Sequence, residues 1–229
     1  MERHFERDLE ALKEQLLLMG GRAEAIVLKS VEALRRLDRE LAREIVADDR
    51  VIDLMEIDID ERCLRLLALQ QPMARDLRFI TAALKINNDL ERVGDHAVNI
   101  AGGVLRSAGE PLLKPLIDIP RMAELASGML HDALDAFVRR DPETARRLVR
   151  SDDEVDALNR QIFRELLSFM IEDPATITRG MELVLVARNL ERVADLATNI
   201  AEEVVFITEA RVIKHHAEDV ERGGVRDAT

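Results

Sequence analysis

Residues 90–101 read Leu-Glu-Arg-Val-Gly-Asp-His-Ala-Val-Asn-Ile-Ala, and residues 190–201 read Leu-Glu-Arg-Val-Ala-Asp-Leu-Ala-Thr-Asn-Ile-Ala. Nine of the 12 positions are identical at a separation of 100 residues. Because unrelated segments of this length share roughly one position, the chain contains two copies of one structural unit. The fold of the whole chain therefore follows from the fold of this unit.

The repeated segment has the period of an amphipathic α-helix. Its apolar residues fall on one helical face, which we expect to be buried. That face comprises Leu90, Val93, Ala97, Ile100, Ala101 and Val104. Glu91, Asp95 and Asn99 step along the nearly opposite face at intervals of four residues. The carboxylates are therefore predicted to point away from the core.

The composition favours an all-α protein. The chain of 229 residues is 47% hydrophobic and 34% charged, which is enough apolar material for a sizeable core. Only 3% of the residues are aromatic, with no Trp and no Tyr. Leu, Ala, Glu and Arg are abundant, and these residues favour helices over strands.

Prolines divide the chain into two sets of three helices. Pro72 and Pro174 each separate two long periodic segments, and Asp38 and Asp141 are expected to cap the second helix of each set. The six predicted helices span residues 5–37, 40–70, 73–107, 119–139, 142–171 and 175–210. We therefore predict a first repeat at 1–108, a Pro/Gly linker at 109–118, a second repeat at 119–210 and a charged tail at 211–229.

The charge and hydropathy exclude several functional classes. The net charge of −12 argues against a nucleic-acid partner, because Lys and Arg dominate binding to phosphate backbones. No uncharged apolar stretch reaches the roughly 18 residues that a membrane span needs. The opening residues lack the apolar run of a signal peptide. We therefore expect a cytoplasmic protein that is at most peripheral to a membrane.

Each repeat carries two pairs of acidic residues spaced four apart. The four pairs are Asp49 with Asp53, Glu91 with Asp95, Asp152 with Asp156, and Glu191 with Asp195. In an antiparallel hairpin about Pro72, both pairs of the first repeat lie 21 residues from the turn. The pairs of the second repeat lie 20 and 19 residues from Pro174. At 1.5 Å per residue, each repeat thus places its acidic pairs together, about 30 Å from its turn.

Such a cluster has two interpretations. Like charges four residues apart on a helix cost about 0.2 to 0.5 kcal/mol per pair, and a bound cation offsets this repulsion. Oxygen donors suit magnesium, calcium, manganese and iron, and zinc also accepts carboxylate oxygens. Alternatively, the acids form a solvated helix face that is balanced by neighbouring arginines at positions 50, 92, 188 and 192.

These motifs resemble the PhoU family of phosphate-specific transport accessory proteins over almost the whole chain. The resemblance includes the duplicated segment, the acidic pairs at 49/53 and 152/156, His4-Phe5 and Met19-Gly20. It implies two tandem three-helix bundles with pseudo-twofold symmetry and multinuclear metal clusters. The implied metal ligands are Asp49, Asp53, Glu91, Asp95, Asp152, Asp156, Glu191 and Asp195. The two implied sites are not equal. Leu196 occupies the position that matches His96, and Asn159 occupies the position that matches Glu56.

The resemblance also implies a function without catalysis. The expected role is negative regulation of phosphate-starvation signalling, coupling a phosphate ABC transporter, through its ATPase subunit, to a sensor histidine kinase. A homodimer is expected as well. Two other readings remain: a carboxylate-bridged di-metal enzyme in a helical bundle, and a metal-free helical scaffold. The enzyme class uses ligands inside the bundle and usually a Glu-x-x-His motif, which no histidine of this chain completes.

Overall fold

The computed structural model describes residues 2–107, 110–149 and 152–211, with side chains from residue 4 onward. These ranges contain seven α-helices: α1 (Glu2–Arg36), α2 (Arg39–Gln70), α3 (Ala74–Arg106), α4 (Asp118–Arg139), α5 (Pro142–Val149), α6 (Asp153–Glu172) and α7 (Ile177–Glu209). A short 3₁₀-helix, Pro174–Thr176, precedes α7, and no strand occurs in these ranges. The predicted all-α class is confirmed.

The predicted helix over 142–171 is described in two parts, and residues 150 and 151 between them lie outside the described residues. Two helices occupy this stretch, since α5 ends at Val149 and α6 begins at Asp153. Asp152 lies in the turn that precedes α6, and acidic residues fill the first turn of α6. Acidic side chains are stabilised at a helix N-terminus by the helix dipole, so this sequence favours a helix that begins at residue 153. Most of the predicted tail, residues 212–229, lies outside the described residues.

Both predicted N-caps are present. A carboxylate oxygen of Asp38 accepts hydrogen bonds from the backbone N–H groups of Glu40 and Leu41. Asp141 accepts the equivalent bonds from Glu143 and Thr144. Because each cap satisfies donors that the first turn of a helix leaves unpaired, it fixes where the second helix of each repeat begins.

The helices form two bundles that pack side by side. In the first bundle α1, α2 and α3 contact one another, and in the second α4 and α7 pack together with α5 and α6. The bundles join where α3 contacts α7 and where α1 contacts α4. One continuous apolar core runs through both bundles. Within the described ranges, no helix has the length and apolarity needed to cross a membrane.

Helices α3 and α7 cross in an antiparallel direction. Lys85 Nζ lies 2.8 Å from Glu203 Oε1, and Arg106 Nη2 lies 2.9 Å from Glu182 Oε2. Between these ion pairs, Nδ1 of His96 lies 2.9 Å from Oδ1 of Asn189. The position on α7 falls as the position on α3 rises, so the two copies of the motif face each other near their centres. This is the arrangement that a pseudo-twofold axis between the repeats requires.

The predicted core face of α3 is confirmed. Its residues Leu90, Val93, Ala97, Ile100, Ala101 and Val104 are all inaccessible to solvent. On the other side of the helix, Asp95 and Asn99 are exposed and Glu91 is half-buried. The face of α3 that carries the carboxylates therefore lies at the surface of the bundle.

Truncation of Leu90 tests this assignment of faces. Leu90→Ala is expected to lower the free energy of unfolding by about 2 to 5 kcal/mol, as is usual for a fully buried leucine. Glu91→Ala, the adjacent control, is expected to change it by less than about 1 kcal/mol. Urea unfolding of the metal-free proteins measures both values. Equal destabilisation by the two variants would show that the faces are reversed.

Candidate functional site

The first acidic cluster lies where α2 and α3 face each other. Asp49 and Asp53 come from α2, and Glu91 and Asp95 come from α3. Burial raises the pKa of Asp49 to about 6, and the charges of Asp53 and Asp95 add to this effect. Burial also raises the pKa of Glu91, with further contributions from Asp95, Asp53 and Asp49. The structure thus brings together all four residues that were predicted for this cluster.

Glu56 extends this cluster and was not among the predicted ligands. Its pKa is raised by burial and by the charges of Asp60 and Asp53, and its own charge acts on Glu91. Glu56 lies three residues after Asp53 on α2, which places it on the same helical face. That spacing was visible in the sequence. The second repeat has Asn159 at the matching position, so the two clusters differ here.

Gly94 allows the carboxylate of Asp49 on α2 to lie close to the backbone of α3. A Cβ atom built at Gly94 would lie 2.5 Å from Oδ1 of Asp49. This oxygen is buried and has no hydrogen-bond partner. An unpaired buried carboxylate oxygen is costly, because it has lost water without gaining a donor. The oxygen is therefore available to a cation. The second repeat has Ala194 at the position that matches Gly94, so its carboxylates must be placed differently.

The second acidic cluster lies between α6 and α7. Burial raises the pKa of Asp152 to about 6, and the charges of Asp195, Asp156 and Glu191 add to this effect. The four residues predicted for this cluster therefore also lie close together. Burial is the main cause of a raised pKa at Asp195, while the positive charge of Arg192 opposes it.

The neighbours of this cluster differ from those of the first. Arg160 forms an ion pair with Asp156, with Nη1 and Oδ2 3.4 Å apart. His96 reaches across from the first repeat, and its positive form would lower the pKa of Asp195. The ring of His96 is hydrogen-bonded to Asn189, and burial lowers its pKa. The structure therefore gives His96 a role in the contact between the bundles.

The donor atoms of both clusters suit a hard cation, but the side chains are not arranged around a single ion. Their donors are carboxylate oxygens, the ligands that magnesium, manganese and iron accept. Among the residues that the structure describes, no three His, Cys, Asp or Glu side chains are arranged to hold one ion as they stand. The side chains of Asp53 and Asp95 are exposed, so they can rotate towards a bound ion without disturbing the core.

The whole chain was compared with known proteins. A family model described as the PhoU domain matches residues 16–104 and again residues 119–204. A phosphate-specific transport system accessory protein PhoU homolog from Aquifex aeolicus is 43% identical over 209 residues, which cover 91% of this chain and 95% of the relative.

Two solved structures are similar as well. The crystal structure of PhoU from Pseudomonas aeruginosa matches with a TM-score of 0.86 at 37% identity, covering 90% of this chain and all of the other. The structure of the phosphate transport system regulatory protein PhoU from Streptococcus pneumoniae matches with a TM-score of 0.85 at 30% identity. That match covers 92% of this chain and 99% of the other.

The raised pKa of Asp49 predicts that removing the charge of this side chain stabilises the folded protein, by an amount that depends on pH. Above pH 6 the folded metal-free protein holds this carboxylate charged at a cost, and below pH 6 the folded state takes up a proton before the unfolded state does. Asp49→Asn is therefore expected to stabilise the metal-free protein by about 1 kcal/mol at pH 7.5, and by clearly less at pH 5.

Thermal unfolding in the presence of a chelator measures this difference. Asp132→Asn, on the exposed side of α4, is the control with the same change in charge. A loss of stability in Asp49→Asn at pH 7.5 would show that the carboxylate is favourably paired in the folded protein.

Proposed function

This chain belongs to the PhoU family, and on that premise we propose that it restrains phosphate-starvation signalling as an accessory protein of a phosphate transport system. Relatives carry the name of phosphate-specific transport accessory proteins, and the Streptococcus pneumoniae structure is of a regulatory protein. The observation that carries the proposal is the family match in both repeats, over the helices that hold the acidic clusters.

The proposed partners are the ATPase subunit of a phosphate ABC transporter and a sensor histidine kinase. The chain would act on the cytoplasmic side of the membrane, where these two proteins have their soluble parts. A homodimer is proposed as the acting form. Because the exterior is strongly charged, with a net charge of −12, the contacts with partners are expected to be transient and to weaken as the salt concentration rises.

We also propose that each acidic cluster binds metal ions. Asp49, Asp53, Glu91 and Asp95 would hold them in the first repeat, and Glu56 lies close enough to contribute. Asp152, Asp156, Glu191 and Asp195 would hold them in the second repeat. Iron, zinc, manganese and magnesium are the candidates. A cation supplies positive charge between two helices whose carboxylates otherwise repel each other. The metal is thus proposed to fix the surface at α2–α3 and at α6–α7.

A carboxylate-bridged di-metal enzyme is the competing function. Enzymes of this class place their ligands in the bundle interior. Here Asp53 and Asp95 are exposed, and Glu91 and Asp156 are half-buried at the surface. This placement favours binding to a partner protein, which would recognise the shape and charge of this surface. A metal-free scaffold is the third reading, and metal analysis separates it from the other two.

Metal content tests the role of the clusters. Protein prepared without chelator is expected to contain metal, and Asp95→Ala combined with Asp195→Ala is expected to remove most of it, because each substitution takes a carboxylate from one cluster. Elemental analysis of the purified proteins gives the amounts. Wild-type protein that contains no metal and takes up none on titration would rule out the proposed sites.

Gly94→Ala provides a sharper version of this test. The new methyl group would displace the carboxylate of Asp49, and alanine stabilises a helix relative to glycine by about 1 kcal/mol. The variant is therefore expected to fold at least as stably as wild type while it loses metal from the first cluster only. Gly128→Ala, at an exposed position on α4 with open space around it, is the control.

A gene deletion tests the regulatory function. In a strain with a phosphatase reporter under phosphate control, loss of this chain is expected to give constitutive expression at high phosphate. Complementation with wild type should restore repression. Unchanged repression in the deletion strain would contradict the proposal. Turnover of a small-molecule substrate that Asp95→Ala abolishes would instead support the di-metal enzyme.

A further inference from the structure

A groove lined by arginines lies between α6 and α7. Its volume is about 640 Å³, and it is bordered by Arg160 and Arg164 on α6 and by Arg188 and Arg192 on α7. Each pair is spaced by four residues, so each helix turns two arginines towards the groove. All four side chains are exposed to solvent.

Two of these arginines lack a partner of opposite charge. Arg160 pairs with Asp156 and the charge of Arg192 acts on Asp195, whereas Arg164 and Arg188 form no ion pair with any residue that the structure describes. The chain has 45 acidic and 33 basic residues, so carboxylates are in ample supply for pairing. The guanidinium groups of Arg164 and Arg188 therefore leave a local positive surface in this acidic protein that is open to an anionic partner.

The arginines are not needed for the fold. At the positions of the first repeat that match Arg160, Arg164 and Arg188, the chain has Ile57, Glu61 and Asn88. The first repeat forms the same kind of bundle without them. Arg160 pairs with Asp156 of the second acidic cluster, whereas the matching positions beside the first cluster carry no arginine. The arginine groove is thus a property of the second repeat alone.

Apolar side chains continue the groove towards the turn at Pro174. Phe163 lies among the arginines and is 48% exposed. Leu167 follows it on α6, and Leu185 accompanies it on α7; both are also exposed. A large aromatic ring beside arginines is typical of the residues that carry binding energy in protein interfaces. The groove therefore offers both charge and apolar contact.

We propose that the α6–α7 groove docks an acidic amphipathic segment of a partner protein. Its carboxylates would pair with Arg164 and Arg188, since guanidinium groups bind carboxylates through two parallel hydrogen bonds. Its apolar side chains would cover Phe163. This inference rests on the proposed function only in taking the partner to be a protein.

The other anionic ligands fit the groove less well. A flat anionic membrane cannot enter a concave groove, and Glu191 and Asp195, which also line the groove, repel every anionic ligand alike. Guanidinium groups bind phosphate as well as carboxylate, so inorganic phosphate is the main competing ligand. Here the arginines are exposed and project from the middle of two helices. An elongated ligand with several carboxylates can contact more than one of these arginines at the same time.

A peptide-binding assay tests the proposal. The probe is a fluorescein-labelled synthetic helix with glutamates on one face and leucines on the other, and the same helix with lysines in place of glutamates is its control. Fluorescence anisotropy of full-length wild type is expected to show binding of the acidic peptide only. Arg164→Glu with Arg188→Glu is expected to weaken that binding about tenfold or more, since two attractive pairs become repulsive.

The matched control is Arg22→Glu with Arg75→Glu, which makes the same change in net charge at exposed positions of the first bundle. It is expected to keep wild-type affinity within about twofold, because these sites lie outside the groove. Circular dichroism checks that both variants are folded. If the reversed charges prevent folding, Arg164→Gln with Arg188→Gln takes their place.

Several results would overturn the inference. These are no binding of the acidic peptide by wild type, equal binding by the groove and control variants, or equal binding of the acidic and basic peptides. Displacement of the peptide by inorganic phosphate at matched ionic strength would point to a small-anion site. Binding to phosphatidylglycerol vesicles that the groove variant alone loses would point to a membrane. The peptide assay does not involve phosphate regulation, so its outcome is separable from that of the gene deletion.

Discussion

The antiparallel contact between α3 and α7 is the constraint on which the rest of the structure depends. Helix α3 contacts α1, α2 and α7, and α7 contacts α3, α4, α5 and α6. Small residues such as Ala97 and Ala197 are fully buried in these central helices, which allows neighbouring helices to approach closely. Only a narrow strip of each central helix remains at the surface. The carboxylates of the motif lie on that strip, beside the second helix of their own bundle.

This placement separates the residues that stabilise the fold from those that are proposed to bind metal. The apolar residues of α3 and α7 hold the fold, and the acidic residues next to them destabilise it while no cation is bound. The raised pKa of Asp49 and that of Asp152 report this cost in each repeat. The two copies have nevertheless diverged, since one has Gly94 and Glu56 while the other has Ala194 and a border of arginines.

The sequence was sufficient for those features that the duplication displays twice. The core face of α3, the caps at Asp38 and Asp141 and the meeting of the acidic pairs all followed from helical spacing. The features that differ between the repeats were predicted only in part. Asn159 was identified as a departure from Glu56, but the closeness of Glu56 to Glu91 depends on how α2 packs against α3, which helical spacing alone does not give. Arg188 and Arg192 were interpreted as balancing the charge of the acidic residues, because the sequence does not show which charged side chains lie close together in space.

We propose that the outward carboxylates of two helices in each repeat hold a cation between them. Anomalous diffraction from crystals soaked in manganese tests this claim most directly, because it locates the metal without any assumption about its ligands. We expect one peak or more between α2 and α3, next to Asp49 and Asp95, and a corresponding peak between α6 and α7, next to Asp152 and Asp195. Crystals that take up manganese only elsewhere, or not at all, would contradict the claim.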